Sequence, residues 1–337
     1  MIDYIYIDRQ DQLDEAMSQL AIIDFLSIDT ESSSFYTYYS ELCLIQVSSK
    51  HAHFIIDVLA PLDLSSLGNL LNGSSTLKIF HDALADMVEL YRRYNWPIHN
   101  IFDTHLAAKY LNLDSYSLLG LVKKYIGIQL EKKEQKSNWL IRPLSKSQLN
   151  YAHQDTLYLH TIQEQMTSEL KQANLYSEFE SEMEWLTLNL DNIDAKDSKQ
   201  ENQESDSDTQ WLKVKGASKL LAQERGRFRA LYNLREDFAK QVNIASFRIF
   251  NNRTLFEIIA EMPKTRVELR NYGVHTSFLK QKEGELLELL HKSKPIYELP
   301  KLPIKNNRDQ DPEVERRLHK LKDWRQKMID KRKLESS

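Results

Sequence analysis

Residues 22–31 read IIDFLSIDTE, and the fold turns on them. Ile22 to Ile28 is a largely apolar run suited to a buried central strand. It leads into Asp29-Thr30-Glu31, where the acids stand two apart, so an extended chain projects both carboxylates from the same face. A carboxylate pair at the end of a buried strand is costly unless a cation neutralises it. No Lys or Arg lies between Gln10 and Lys50, so local pairing is unavailable and a divalent metal becomes a plausible partner. Taken alone, Asp-x-Glu is more often a solvated strand end or turn.

Outward from this stretch the pattern is strands first. Tyr4 to Ile7 reads as a short strand, Asp11 to Ala21 has helical spacing, and Leu42 to Val47 and His53 to Val58 are two further strands. Alternation follows: a strand at Leu77 to Phe80, a helix at Ala83 to Tyr94, and a strand at Ile98 to Phe102. Asp103 is the expected N-cap of a helix at Thr104 to Leu111, and Ser117 to Ile126 and Ser147 to Leu170 read as further helices. Strands followed by β-α-β-α predict an α/β layered domain with a mixed sheet. Residues 191–210, DNIDAKDSKQENQESDSDTQ, hold seven acids, two lysines and no aromatic residue, the composition of a solvated flexible linker. Helices are expected beyond it at Ser218 to Gln241, Leu255 to Ala260 and Ser277 to His291, with a short one at Lys264 to Arg270 closed by Gly273. The division is therefore a first domain over 1–188, a linker over 189–210, a small all-α domain over 211–296, and a basic helical tail over 297–337.

The 337 residues exceed what one hydrophobic core usually serves. A single cysteine, Cys43, excludes an internal disulfide and a cysteine-built metal site. No apolar run reaches the roughly 18 residues of a membrane span, and the acidic N-terminus lacks the basic region of a signal peptide. A cytoplasmic protein without membrane contact is expected, and no protein partner is implied. The net charge of −4 conceals a division: residues 211–337 carry 29 basic and 17 acidic side chains, and residues 1–210 carry 16 and 32. Such asymmetry points to nucleic-acid contact by the basic part, although a charged helical surface has the same composition.

Two further features carry chemistry. Tyr151 and Asp155 stand at i and i+4 on one expected helix, so they face the same way. A Tyr hydroxyl beside a metal-bound carboxylate can hold an attacking water and help deprotonate it; seen alone, the pair is more often a half-buried Tyr and a surface Asp. In IFHDALAD, residues 79–86, Asp86 falls in the first turn of a helix, where the dipole favours a carboxylate. Asp82 is a rival that could be only the N-cap, and His81 either contacts substrate or merely ends a strand. Four carboxylates can hold two divalent ions about 3.5–4 Å apart around a scissile phosphate, and oxygen-only ligands suit Mg²⁺ or Mn²⁺.

The order of these motifs resembles the DEDD exonucleases in their tyrosine-containing branch, and in particular the ribonuclease D family. The stretches that carry the resemblance are FLSIDTES (25–32), LCLIQV (42–47), KIFHDALADMVEL (78–90), NIFDTHLAAKYL (100–111), SLLGLVKKYIGI (117–128) and KSNWLIRPLSKSQLNYAHQDTLYL (136–159). The resemblance implies an α/β ribonuclease-H-like exonuclease domain in which Asp29, Glu31, Asp86 and Asp155 bind two metals. It also implies that Glu31 helps place the terminal 3′ hydroxyl and that Tyr151 positions the nucleophilic water. Asp82 has no role in the family pattern, which favours Asp86. The segment SSSFYTYYS (32–40) is richer in Ser and Tyr than the family leads one to expect, so the groove rim is expected to differ. Residues 231–263 and 269–290 resemble an HRDC domain, a nucleic-acid-binding module. Leu231, Leu234-Arg235 and Phe238 recur 90 residues later as Leu321, Trp324-Arg325 and Met328, which suggests a partial second module in the tail.

Other leads fall away. His51 and His53 share a strand face with no third ligand nearby and read as surface histidines. No G-x-S-x-G or G-x-x-x-x-G-K-[ST] pattern supports a serine hydrolase or a helicase motor. Trp139 and Arg142 read equally as substrate-path residues or as a packed aromatic and a surface Arg. The expectation is a 3′–5′ exoribonuclease releasing nucleoside 5′-monophosphates from structured RNA with a single-stranded 3′ tail, such as tRNA precursors. A DNA 3′–5′ exonuclease and a catalytically idle RNA-binding scaffold are the alternatives.

Overall fold

The computed structural model describes residues 4–131, 133–190, 209–300, 316–317, 319–324 and 327. The first domain is a six-stranded mixed sheet of β1 (Ile5–Ile7), β2 (Phe25–Ser32), β3 (Leu42–Ser48), β4 (His53–Asp57), β5 (Leu77–Phe80) and β6 (Ile101–Asp103), in the order β1-β4-β3-β2-β5-β6. β2, β3 and β4 pair antiparallel, whereas β1–β4, β2–β5 and β5–β6 pair parallel. The helices are α1 (Gln10–Leu20), α2 (Ser65–Asn72), α3 (Ala83–Tyr94), α4 (Thr104–Tyr110), α5 (Leu118–Tyr125), α6 (Lys146–Leu157), α7 (Leu159–Gln172) and α8 (Tyr176–Leu188). The α/β mixed-sheet architecture is as expected.

Several elements differ from the sequence reading, and two of the differences bear on the site. β2 begins three residues later and runs through the acids, because Asp29 pairs with Gln46 and Glu31 with Leu44 on β3. On its other side, pairing with β5 begins at Phe25, which leaves Ile22 in a turn and 86% exposed. Asp29 and Glu31 therefore stand within the ladder, ahead of a register shift between Glu31 and Ser32. The single helix expected over Ser147 to Leu170 is two helices meeting at Tyr158. The break lets α6 lie across β2, β3 and β4 while Leu159, Ile162, Met166 and Leu170 of α7 enter the main core.

A separate core, built on Trp211, Phe228, Leu231, Phe238, Ile258, Phe278 and Leu286, organises the helical second unit. Its helices are α9 (Ala222–Val242), α10 (Ser246–Ile249), α11 (Asn252–Glu261), α12 (Arg266–Asn271) and α13 (Thr276–Lys292). α9 starts at Ala222 rather than Ser218 because the Glu224 carboxylate accepts from the Leu221 N–H at 2.9 Å, which fixes the first turn there. Gly226 lets the chain after α13 cross α9 closely, since a Cβ there would lie 2.0 Å from the Lys294 carbonyl oxygen. Most of the acidic linker, 191–208, lies outside the described residues, and its flanks Leu190 and Thr209 are buried in the ordered units. Most of the tail lies outside them too; residues 316–317, 319–324 and 327 are helical and exposed. Among the described residues, no helix is long and apolar enough to cross a membrane.

The Ser- and Tyr-rich segment after β2 binds the second unit to the first. The Ala245 N–H donates to the Tyr36 carbonyl and the Tyr39 N–H to Asn243 Oδ1, both at 3.0 Å. The Phe35 and Phe247 rings are 5.1 Å apart, and the Arg248 guanidinium lies 4.2 Å from the Tyr36 ring. Ring pairs and cation–π contacts contribute about 0.5–1.5 kcal/mol each. The Phe35→Ala/Arg248→Ala double variant should therefore speed hydrogen exchange of the Ala245 amide about tenfold or more, measured by mass spectrometry of the covering peptide. Unchanged exchange would show that these side chains do not hold the domains together.

Candidate active site

Alternation along β2 divides its residues between two faces. Leu26 and Ile28 enter the main core, and Thr30, on the same face, donates a short hydrogen bond from its hydroxyl to the Asp86 carboxylate. Asp86 stands in the first turn of α3. That helix is started by Asp103, whose carboxylate accepts from the Asp82 and Ala83 N–H groups at 2.9 and 3.0 Å. The same carboxylate accepts from the His105 and Leu106 N–H groups, so Asp103 caps α4 as expected and anchors α3 as well. Asp82 occupies the N-cap position with a left-handed backbone, φ 66°, and its side chain makes no cap bond.

The opposite face of β2 carries Asp29 and Glu31, and α6 covers it. Ser145 and Gln148 fix the start of α6 reciprocally: the Gln148 N–H donates to Ser145 Oγ at 3.2 Å, and the Ser145 N–H donates to Gln148 Oε1 at 2.9 Å. One turn separates Tyr151 from Asp155 on that helix. Asp29, Glu31 and Asp155 each present a carboxylate oxygen, and the three lie within 4.8 Å of one another. The Tyr151 hydroxyl donates to Asp155, and its ring rests 6.2 Å from that of buried Trp139.

The electrostatics are those of an uncompensated anionic cluster. Burial, then the charge of Asp155, holds Asp29 well above the usual carboxylate range. Glu31 is raised by burial and then by Asp29, Asp155 and Asp86. Asp86 is raised by burial and then by Asp29. Asp155 is pushed up to about 7, mainly by burial, against the lowering effect of the Tyr151 hydrogen bond. Among the described residues, no Lys or Arg pairs with any of the four. An all-oxygen donor set with unmatched negative charge fits a hard divalent cation.

The remaining candidates have other places. His81 bonds Thr104 Oγ1 through Nδ1 at 2.9 Å, and burial lowers its pKa to about 4, so it is neutral at physiological pH. His51 is exposed, but His53 is not the surface histidine expected: it lies buried beneath α6, edge-on to His153 at 4.9 Å. Trp139 is the packed aromatic that backs Tyr151. Arg142 is a clamp, donating to both Asp57 oxygens at 2.5 and 2.7 Å and to the Trp139 carbonyl at 2.6 Å. Sequence reasoning missed Thr30 and the double role of Asp103. Thr30 carries a signal in hindsight, since alternation turns it away from the acids that flank it.

Comparison with known proteins identifies the two modules. The 3′–5′ exonuclease family matches residues 4–171, and the HRDC domain family matches residues 224–290. Ribonuclease D of Desulfotalea psychrophila is 32% identical over 272 residues, which cover 80% of this chain and 70% of that protein. Ribonuclease D of Gluconacetobacter diazotrophicus is 30% identical, with 84% and 70% covered. Exosome complex component 10 of Rattus norvegicus is 29% identical over 77% of this chain but only 29% of its own length. Among solved structures, the catalytic core of RRP6 from Trypanosoma brucei aligns with a TM-score of 0.71 at 21% identity, covering 86% of this chain and 79% of that one. Escherichia coli RNase D aligns with a TM-score of 0.64 at 22% identity, covering 99% and 86%; these two likenesses concern the fold. With bacterial relatives matched across most of their length and both modules present in order, the chain belongs to the ribonuclease D family of 3′–5′ exoribonucleases.

Proposed function

We propose that this exoribonuclease hydrolyses the terminal phosphodiester of RNA at Asp29, Glu31, Asp86 and Asp155, working with two divalent cations, Mg²⁺ or Mn²⁺. The observation that supports this most is the convergence of Asp29, Glu31 and Asp155 oxygens, with the charge of Asp86 also raising Glu31 and no Lys or Arg paired with any of the four among the described residues. The cations supply activation of the nucleophile and neutralisation of charge developing on the phosphate and leaving oxygen. The chain supplies geometry. Thr30 fixes Asp86 and Tyr151 fixes Asp155. Burial and neighbouring carboxylates hold Tyr151 protonated, so its hydroxyl can orient the attacking water but does not itself ionise at neutral pH. By the family resemblance, Glu31 would help place the terminal 3′ hydroxyl.

The same proposal divides the chain into a catalytic domain over 1–188 and a nucleic-acid-binding domain over 211–296. Residues 211–300 hold 17 basic against 10 acidic side chains, a balance suited to gripping the body of a structured RNA while the acidic domain takes the end. The substrate proposed is a tRNA precursor with a single-stranded 3′ tail, and the products are nucleoside 5′-monophosphates.

The test is digestion of a 5′-labelled, 3′-tailed RNA and a matched DNA strand with Mg²⁺ or Mn²⁺. A ladder shortening from the 3′ end of the RNA, abolished by EDTA, is expected. Preference for the DNA strand would reassign the polymer, and binding without shortening would leave a scaffold. Tyr151→Phe should lower kcat roughly 10²-fold, as misplacement of a reacting group does, with little change in Mn²⁺ affinity by calorimetry. Wild-type turnover in this variant would remove Tyr151 from the mechanism.

A further inference from the structure

Gln46 lies at the centre of β3 with no solvent exposure, and neither its Oε1 nor its Nε2 meets a hydrogen-bond partner among the described residues. A buried amide with both polar atoms unmatched is unfavourable and needs a reason. The neighbouring position on the same face shows the ordinary solution, because Ser48 Oγ bonds Thr156 Oγ1 of α6 at 2.6 Å. That bond also shows which face is involved: Leu44, Gln46 and Ser48 alternate toward α6, the helix that carries Tyr151 and Asp155. Across the ladder Gln46 is directly opposite Asp29 on one side and Ile55 on the other. Residues directly opposite in an antiparallel pair share a face, with Cβ atoms about 4.5–5.5 Å apart.

The four carboxylates differ in their support. Asp86 has the Thr30 hydroxyl and Asp155 has the Tyr151 hydroxyl, whereas among the described residues Asp29 receives the backbone N–H of Thr30 and no side-chain donor. Metal-binding carboxylates are in general held by an outer donor that fixes their orientation. Given the metal site proposed above, on which this inference rests, we propose that Gln46 is a positioning residue whose amide Nε2 turns to donate to the Asp29 carboxylate when the site holds cations. The role is set by register alone: Gln46 is the polar side chain that β3 places opposite Asp29.

The experiment is Mn²⁺ titration by calorimetry, with thermal melting, on the full chain and on Gln46→Met, an unbranched replacement of similar size. A positioning role predicts Mn²⁺ affinity weakened roughly 10–100-fold, with the metal-free melting temperature unchanged or raised because the unmatched amide is gone. A merely structural glutamine would give a lower metal-free melting temperature and wild-type affinity, and affinity within about twofold of wild type overturns the proposal. If Gln46→Met does not fold, Gln46→Asn, which withdraws the amide by one methylene, decides by the same criterion. Failure of the wild type itself to bind Mn²⁺ would sink the metal site along with this inference, whereas normal wild-type binding with an indifferent variant sinks the role of Gln46 alone.

Discussion

Asp29→Asn should yield a protein inert on RNA yet harder to unfold without metal. The amide keeps the shape of the carboxylate and removes a charge that burial and Asp155 both oppose. Asp29 also raises Glu31 and Asp86, so neutralising it relieves three groups at once. The metal-free melting temperature should therefore rise by a few degrees near pH 8, each kcal/mol being about 2–4 °C for domains of this size. Activity should move the other way. Losing one ligand removes several kcal/mol of charge stabilisation in the transition state, and about 4 kcal/mol is roughly 10³-fold in rate. Asp155→Asn should behave similarly on both counts. A variant that keeps a tenth of wild-type turnover, or that melts lower without metal, would show that Asp29 serves the fold rather than the reaction.

This opposition between stability and chemistry explains why some of the site could be read from sequence and some could not. Asp29 and Glu31 share a face because strand alternation is strictly two-fold, and Tyr151 and Asp155 share one because of helical i, i+4 spacing; both are local rules. Their convergence within 4.8 Å needed α6 to lie across β2, a tertiary fact implied only by resemblance. The apolar run alone gives the wrong bounds for β2. The ladder to β3 sets its extent instead, and that ladder carries the strand through the acids. The break at Tyr158 was invisible for a similar reason: helical periodicity continues across it, while the surfaces covered on its two sides differ. Local pattern shows Asp103 as one cap, whereas it holds two helix starts, because its contact with Asp82 and Ala83 crosses from β6 to α3. Gln46 and His53 depend on cross-strand register and on the helix lying above them, which no local pattern encodes. The Ser- and Tyr-rich segment did stand out in sequence, as a change in the groove rim; the structure gives it contacts with the second unit as well.

Stability of the metal-free protein should fall as pH rises, and divalent metal should cancel the fall. The folded-state values of Asp29, Glu31, Asp86 and Asp155 are all raised. Groups of this kind contribute stability that is fully present below their unfolded values, near 4, and that is lost as pH climbs through their folded values. For Asp155 that folded value is about 7, so most of its loss should accrue between about pH 4 and 7, while the other three, raised as well, extend the fall upward. His81 acts with the opposite sign: its value falls from 6.5 to about 4 on folding, so it costs stability as pH drops below about 6.5. The difference in melting temperature between wild type and Asp155→Asn, followed across pH, separates the two because His81 is common to both proteins. Metal binds the ionised carboxylates and releases their protons, so affinity should strengthen through the same window. At a concentration 100 times its dissociation constant, Mn²⁺ should add about 2.7 kcal/mol. The rise in melting temperature on adding a fixed amount of Mn²⁺ should therefore be larger at pH 8 than at pH 6, and activity should climb to a plateau above about pH 7. Equal rises at the two pH values, or a metal-free protein whose melting is flat between them, would mean that the carboxylates are stabilised by something other than a metal and that the charge of the cluster is already balanced within the chain.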